Sequence, residues 1–530
     1  MPSIRILEQD ATSAGVAAAS TDVVYVPGLA ETNRNYLIYT TAGDAPTANT
    51  AGTIATEDAT SSNINKRFYV DTTLGLLDED QLADLDGKLS DYTAAAPQYA
   101  CNIVDKVTYK CTAKSSENAY TWEVQKVYIE PHPENVPTLC STLADFEFNF
   151  GKAPYRFEDD QAYPKFDPVV TSPMYVKGEY EKSYIYAKEL ISRGIPVIYN
   201  NIVLRQSNLR QTPSVSYLYA HLVDGFNELK DVGEYSVKYI TSGAYPTFEF
   251  STDQEGDVGL SLVNVMTTVA KERGDAVAII DHTNNPARAL DATSGSGSVY
   301  DKLLSSNISY PEFGTMFTPW ASYTCTTAPN GFMTQIMPAS FNYLICLADA
   351  IHVNNNWVAM AGVSRGVGNT IQALNTIPRL SNIIADAYQP RDAVALNAIT
   401  NIKPYGLTIW GNRTLSKNSK GNLTALSFLN VRNLVSDVKK VAYRKAKEVI
   451  YEQDSEITWL KFKSGITPLL DQMRAGFGLQ AYKIIRATTK YDGTPLAKGE
   501  MAAVIRLIPI YALEDIEVTC VIEDGEVSVS

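Results

Sequence analysis

Residues Leu262–Ile280 read LVNVMTTVAKERGDAVAII, one passage from helix to strand that decides the fold. Leu262, Val265, Met266 and Val269 recur on one face at the 3.6-residue period of a helix. Arg273-Gly274-Asp275 ends that period, and Ala276–Ile280 is apolar without alternation, the mark of a strand covered on both faces. The same order appears upstream. Tyr184, Ala187, Leu190 and Ile191 share a helical face, Gly194 stands where a helix commonly ends, and Ile195–Ile198 reads as a buried strand. Downstream, a helix over Ala339–His352 leads into Trp357–Ala361, read as a further buried strand. This repetition predicts an α/β (α+β) multidomain chain whose sheets are covered by helices.

Working outward, Val23–Val26 reads as another buried strand, preceded by Ala11–Ser20, a small-residue tether, and by Ser3–Asp10, where Ile4 and Ile6 alternate with polar residues. Between about Tyr36 and Pro133 short alternating strands recur at Arg67–Val70, Lys106–Thr112 and Tyr120–Ile129, with an acidic helix-like piece near Asp78–Lys88. That composition fits a mostly β insertion.

The C-terminal third is the most regular part. Leu407–Leu415 supplies a short strand, and a long helix follows with Val431, Leu434, Val435, Val438, Val441, Ala442 and Val449 on one face. Lys440, Arg444 and Lys447 align opposite them, while Lys445 falls inside the apolar stripe and has to snorkel or meet an acid. Thr467-Pro468 resembles the start of a new short helix closing at Gly476 or Gly478. Gln480–Thr488 and Met501–Ile510 read as strands joined through Asp492-Gly493. The chain closes on Asp515–Glu523, where Ile516, Val518, Cys520 and Ile522 alternate with polar residues, then on Val527-Ser-Val529-Ser530 after an Asp-Gly turn. A strand at each end of the chain presents an edge to be paired, within the subunit or by another copy.

The 530 residues, 45% of them hydrophobic, point to three or four domains at roughly 150 residues each. A formal net charge of −14 argues against nucleic-acid binding, which needs clustered Lys and Arg. No signal peptide is read at Met1–Asp10, and no window approaches the roughly 20 apolar residues of a membrane helix. Six cysteines without C-x-x-C spacing and four isolated histidines give no metal or disulfide framework, so no cofactor is expected. Gly362-Val363-Ser364-Arg365-Gly366 matches a hydrolase nucleophile elbow, but no histidine follows His352, so the Ser364 triad lacks its last member in that order. Arg273-Gly274-Asp275 also matches an adhesion tripeptide, at a helix-to-strand turn. No enzyme activity is expected.

From about Val232 onward the chain resembles the tail sheath proteins of contractile bacteriophages and related contractile injection machines. The residues that carry this are Tyr239–Pro246 (YITSGAYP), Ala270–Asp281, Gly314–Trp320 (GTMFTPW), Trp357–Gly366, Ala395–Leu415, Ser427–Leu434 and Gly499–Cys520. The resemblance implies a structural protein that polymerises into a helical tube of stacked hexameric rings around a tail tube and contracts to drive that tube through the host envelope. Its implied partners are further copies of itself, the tail tube protein, and baseplate and tail terminator proteins, with no membrane insertion. Its implied location is the virion, after assembly in the bacterial host cytoplasm. The implied division is an arm and linker at 1–20, an α/β core at 21–35 and 134–385, and the outer insertion at 36–133. A C-terminal domain facing the tube follows at 386–524, with an arm strand at 525–530. Inter-subunit strand exchange is expected at Ile4, Ile6, Ile516, Val518, Val527 and Val529, and a charged contact with a neighbour or the tube at Lys440, Arg444 and Lys447. The alternatives are a soluble serine hydrolase using Ser364, one component of a non-phage contractile injection sheath, and one half of a two-chain sheath.

Overall fold

In a computed structural model the protein is described over residues 22–30, 35–38, 67–70, 99–102, 107–116, 119–126, 129–131, 133, 135–150, 179–203, 215–245, 256–281, 307–326, 333–353, 357–366, 373–377, 394–416, 423–490, 492–512 and 514. Strand β1 is Val24–Ala30. The insertion follows with β2 (Asn35–Ile38), β3 (Arg67–Val70), β4 (Tyr99–Asn102), β5 (Val107–Ser116), β6 (Ala119–Lys126) and β7 (Ile129–Pro131). These form two three-stranded antiparallel sheets, ordered β3-β2-β7 and β4-β5-β6. The described part of the insertion is thus β, and Asp78–Lys88 lies outside the described residues.

The chain then alternates helix and strand. It forms β8 (Thr138–Cys140), α1 (Leu143–Phe150), α2 (Glu179–Ser192), β9 (Val197–Val203) and α3 (Val215–Asn227). Next come β10 (Tyr239–Thr241), α4 (Gly256–Arg273), β11 (Val277–Asp281) and β12 (Gly314–Thr318). Then follow β13 (Trp320–Cys325), β14 (Met333–Met337), α5 (Ala339–Val353), β15 (Ala373–Ile377), β16 (Asn397–Ile402) and β17 (Gly406–Trp410). Eight of these strands make one sheet in the order β17-β16-β12-β11-β10-β1-β9-β8. The six central strands are mutually parallel, and β17 and β8 close the two edges antiparallel.

Both faces of this sheet are covered, which is why its strands read as apolar runs. Val24, Val26, Val277 and Ile279 pack with α1, α2 and α5 on one side, while Tyr25, Ala278 and Ile280 pack with α3 and α4 on the other. Asp281, at the end of β11, turns its carboxylate onto the start of α5. It accepts from the Ser340 N–H at 2.8 Å and from Ser340 Oγ at 2.6 Å, satisfying donors that the helix leaves open. Burial pushes the Asp281 pKa up to about 7.

Two sequence expectations need correction. Trp357–Ala361 is not a strand: Trp357 turns its ring into the C-terminal unit, where Nε1 donates to Gly476 O at 3.2 Å, and Met360 enters the main core. Strands β16 and β17, expected in the C-terminal domain, pair with the large sheet, while the expected boundary at 385/386 itself lies outside the described residues.

The C-terminal unit follows Leu415. Helices α6 (Leu429–Lys447) and α7 (Glu456–Ala475) pack on one face of the antiparallel ribbon of β18 (Leu479–Ala487) and β19 (Ala502–Pro509). No new helix starts at Pro468, which lies inside α7. Proline removes one backbone donor there, but Phe462, Ile466, Leu469, Leu470 and Met473 bury a continuous stripe across it, and that packing outweighs the lost bond.

Candidate inter-subunit surface

Helix α6 lies across the beginnings of the parallel strands and is fixed there by buried charge. Lys238, just before β10, places Nζ 2.7 Å from Asp22 Oδ1, ahead of β1, and 2.5 Å from Asp437 Oδ1 on α6. Burial alone would lower the Lys238 pKa, but the two carboxylates outweigh it and hold the value above that of an ordinary lysine. Ahead of β11, Arg273 folds back to join Asp275 at 3.0 Å and donates to the carbonyls of Leu229 and Tyr235. The Arg-Gly-Asp tripeptide is therefore an internal clasp. Its glycine has φ +73°, a left-handed backbone conformation that the turn requires and that favours Gly274. Ahead of β12, the Arg432 guanidinium lies 3.8 Å over the Phe313 ring.

Lys440 lies at this seam, half-buried, with its ammonium enclosed. Burial pushes its pKa down to about 8, the nearby Asp275 offsetting part of the effect, and its ammonium has no hydrogen-bond partner among the described residues. It does not share the solvent-facing surface expected of it together with Arg444 and Lys447, because the α6 face that carries it docks on the strand beginnings. Arg444 and Lys447 are exposed, with Lys447 Nζ 4.5 Å over the Tyr443 ring. Lys445 meets an acid, Glu448, at 2.6 Å, and its stem packs on Gly465.

The ribbon has two chemically distinct faces. Ile484 and Ile505 are directly opposed and buried under the helices. On the other face Ile485 opposes Val504, Lys483 opposes Arg506, and Ala481 opposes Ile508. Val504 and Ile508 are 41% and 53% exposed, so this apolar and basic face is open in the isolated subunit. Among the described residues β18 and β19 pair only with each other, leaving an unpaired main-chain edge on either side.

Beyond β19 the chain turns away from that open face. Ile510 N–H donates to Gly478 O, the Tyr511 ring lies 5.1 Å from Phe428 at the start of α6, and Glu514 grips Arg413. Arg413 is buried and its backbone is itself held by Asn397 and Thr315 of the main sheet. The sequence reading missed Lys238, Arg413, Lys483 and Arg506. The first two carry no local pattern, and the last two are visible only once the strand register is known.

Ile4, Ile6, Ile516, Val518, Val527 and Val529 lie outside the described residues. Ser364 is exposed on a turn where Gly362 N–H donates to Ile409 O and Ile409 N–H donates to Gly366 O, so the two glycines hem the edge of β17. Among the described residues no group of three His, Cys, Asp or Glu could hold a metal ion, and no helix is long and apolar enough to cross a membrane.

A curated relative is the tail sheath protein of Vibrio phage KVP40, 26% identical over 160 residues. The chain is similar to contractile tail sheath proteins. The matched stretch is 30% of this chain and spans only 22% of the relative's length. No family model matches. Among solved structures, the baseplate of the anti-feeding prophage in its contracted state contains a chain matched at 17% identity over 74% of this chain and 94% of its own, with a TM-score of 0.49. The sheath complex of the extracellular contractile injection system PVC, also contracted, matches at 13% identity over 74% of this chain and 88% of its own, with a TM-score of 0.47.

Proposed function

We propose that this chain is a structural sheath subunit that assembles with further copies of itself into a helical tube of stacked six-fold rings around a tail tube, and that contraction of this tube drives the tail tube through a host envelope. The observation that carries the reading is the β18–β19 ribbon. It has one face fixed on α6 and α7, the other exposed, and both edges unpaired among the described residues, in a chain similar to a phage tail sheath protein. Strand addition satisfies such edges through main-chain hydrogen bonds. The terminal stretches around Ile4 and Ile6, and around Ile516, Val518, Val527 and Val529, supply alternating strands for it. Contacts that do not close on themselves generate helices, and tethered strands keep subunits joined while their bodies shift.

In this reading the C-terminal unit faces the tube, the β insertion faces outward, and Arg444 and Lys447 offer charge to a neighbour or to the tube. Baseplate and terminator proteins cap the polymer, which forms in the bacterial cytoplasm and ends in the virion or a phage-like particle. No catalytic role is assigned, Ser364 included. Electron microscopy of the purified full chain tests this: tubes or rings are expected, and a monodisperse monomer across a range of salt and concentration contradicts it.

A further inference from the structure

The C-terminal unit is basic within an acidic chain. Residues 423–512 carry 14 Lys and Arg against 8 Asp and Glu, although the whole chain has a net charge of −14. Glu448, Glu452, Asp454, Glu456, Asp471 and Glu500 each pair with a cation of the same unit, and Lys483 and Arg506 are left without an ion pair among the described residues. Those two cations stand directly opposite each other on the exposed face of the ribbon, a cross-strand placement in which like charges repel. The main-sheet body shows the converse. Asp224 and Glu228 are exposed one turn apart at the C-terminal end of α3, where each opposes the other carboxylate and the negative end of the helix dipole. Asp231 and Glu234 continue this exposed surface around half-buried Tyr235, whose hydroxyl pKa is raised by burial and then by Glu234, Glu228 and Asp231. None of the four acids has an ion pair among the described residues, and the nearby Lys230 is held by Glu272 instead.

We propose that the ribbon face bearing Lys483 and Arg506 receives the Asp224–Glu234 surface of a second copy of this chain. The proposal rests on the self-assembly reading above and adds to it a pair of body surfaces that involves neither terminal strand. Each surface repels itself and is relieved by the other, which is what charge complementarity between partners provides. Apolar area is present on both sides of the contact. Val504 and Ile508 are exposed on the cation-bearing face, and half-buried Val232 and Tyr235 lie among the acids. The contact joins two copies, because one subunit holds its own surfaces apart. Gly233 lies against the end of α6, a Cβ there falling 3.8 Å from Lys447 Nζ, while the ribbon turns Lys483 and Arg506 away from α6 and α7. Those helices stand between the two surfaces. A contact between two different patches is heterologous, and repeated from copy to copy it builds a ring or an open helix.

The test uses two full-length variants, one with Lys483→Glu and Arg506→Glu and one with Asp224→Lys and Glu228→Lys, followed by sedimentation velocity at low salt. Each variant alone presents like charges at the contact and is expected to associate about tenfold or more weakly than wild type. An equimolar mixture of the two is expected to regain association, because each reversed surface then meets its complement on the other variant. That recovery, with unchanged thermal unfolding of each variant, excludes misfolding as the cause. The proposal is overturned if either variant alone associates as wild type does, if the mixture associates no better than its components, or if wild type does not associate. Tubes formed equally by wild type and both variants would overturn this contact and leave the sheath reading standing. Recovered association in the mixture, by a chain that forms no tubes or rings, would uphold the contact and overturn the sheath reading instead.

Discussion

Glu514 closes on Arg413 with both carboxylate oxygens, Arg413 Nε standing 2.8 Å from Oε1 and 2.9 Å from Oε2. This bidentate pair joins residues 101 positions apart and ties the chain at Glu514 to the main sheet. Arg413 is buried while the Glu514 side chain is 24% exposed, so the cation is the costlier group to strand. Glu514→Gln is expected to lower the unfolding free energy by about 1–3 kcal/mol, and Arg413→Ala by a similar or larger amount, measured by urea unfolding. Assembly should weaken in both, because the closing segment loses its anchor.

Lys440 makes stability depend on alkaline pH. Its folded pKa of about 8 lies below that of an unfolded lysine, so between those values the unfolded chain binds the extra proton. Stability therefore rises as pH increases from about 8 toward the ordinary lysine value, and the penalty is fully present below the folded pKa. Lys440→Met should be more stable than wild type at neutral pH by roughly 1–2 kcal/mol and should flatten that alkaline rise. Denaturant midpoints from pH 7 to 10 measure both effects. A midpoint lowered by the substitution would show that the ammonium has a partner.

Asp281 acts in the opposite direction. Its folded pKa, raised to about 7 by burial, means that the folded chain keeps a proton the unfolded chain has released. Stability from this group is fully present below the ordinary carboxylate value and is lost as pH rises through about 7. Asp281→Asn retains an acceptor for the Ser340 N–H and cannot ionise. The variant should lose less stability than wild type between pH 5 and 8, as followed by thermal midpoints across that range.

Trp357 ties the main sheet's periphery to the C-terminal unit. Its ring joins Leu434, Ile466 and Leu479 in one buried cluster and touches Gly478 so closely that a Cβ there would lie 2.4 Å away. Trp357→Ala is expected to cost about 3–5 kcal/mol by cavity formation, and Gly478→Ala to destabilise by overpacking against a fixed ring. Differential scanning calorimetry should show one lowered transition for Trp357→Ala if α6, α7 and the ribbon unfold together with the sheet.

Elements with strong periodicity are legible in the amino-acid sequence itself. The stripe Leu262–Val269, the run Ala276–Ile280 and the face of α6 from Val431 to Ala442 all fold as their patterns predict, while Val449 lies just past the end of that helix. Two misreadings come from local signals overruled by distant packing. Thr467-Pro468 has the chemistry of a helix start, yet Ile466 and Leu470 are buried on either side of it. Trp357–Ala361 has the composition of a strand, yet its tryptophan is recruited by Gly476 and Gly478. The charged seam is illegible for a different reason: Asp22 and Lys238 are brought together by parallel strand order and Asp437 by the docking of α6, which no local pattern encodes. The basic stripe on α6 is visible in the sequence, but the burial of the Lys440 ammonium is not, since the opposing Asp275 is distant along the chain.

The most direct measurement compares the full chain with a chain lacking Gly525–Ser530, by sedimentation velocity and negative-stain electron microscopy. The account predicts tubes or rings for the full chain, and for the truncated chain a folded monomer with an unchanged circular dichroism spectrum and no polymer. Tubes that persist without those six residues would contradict it.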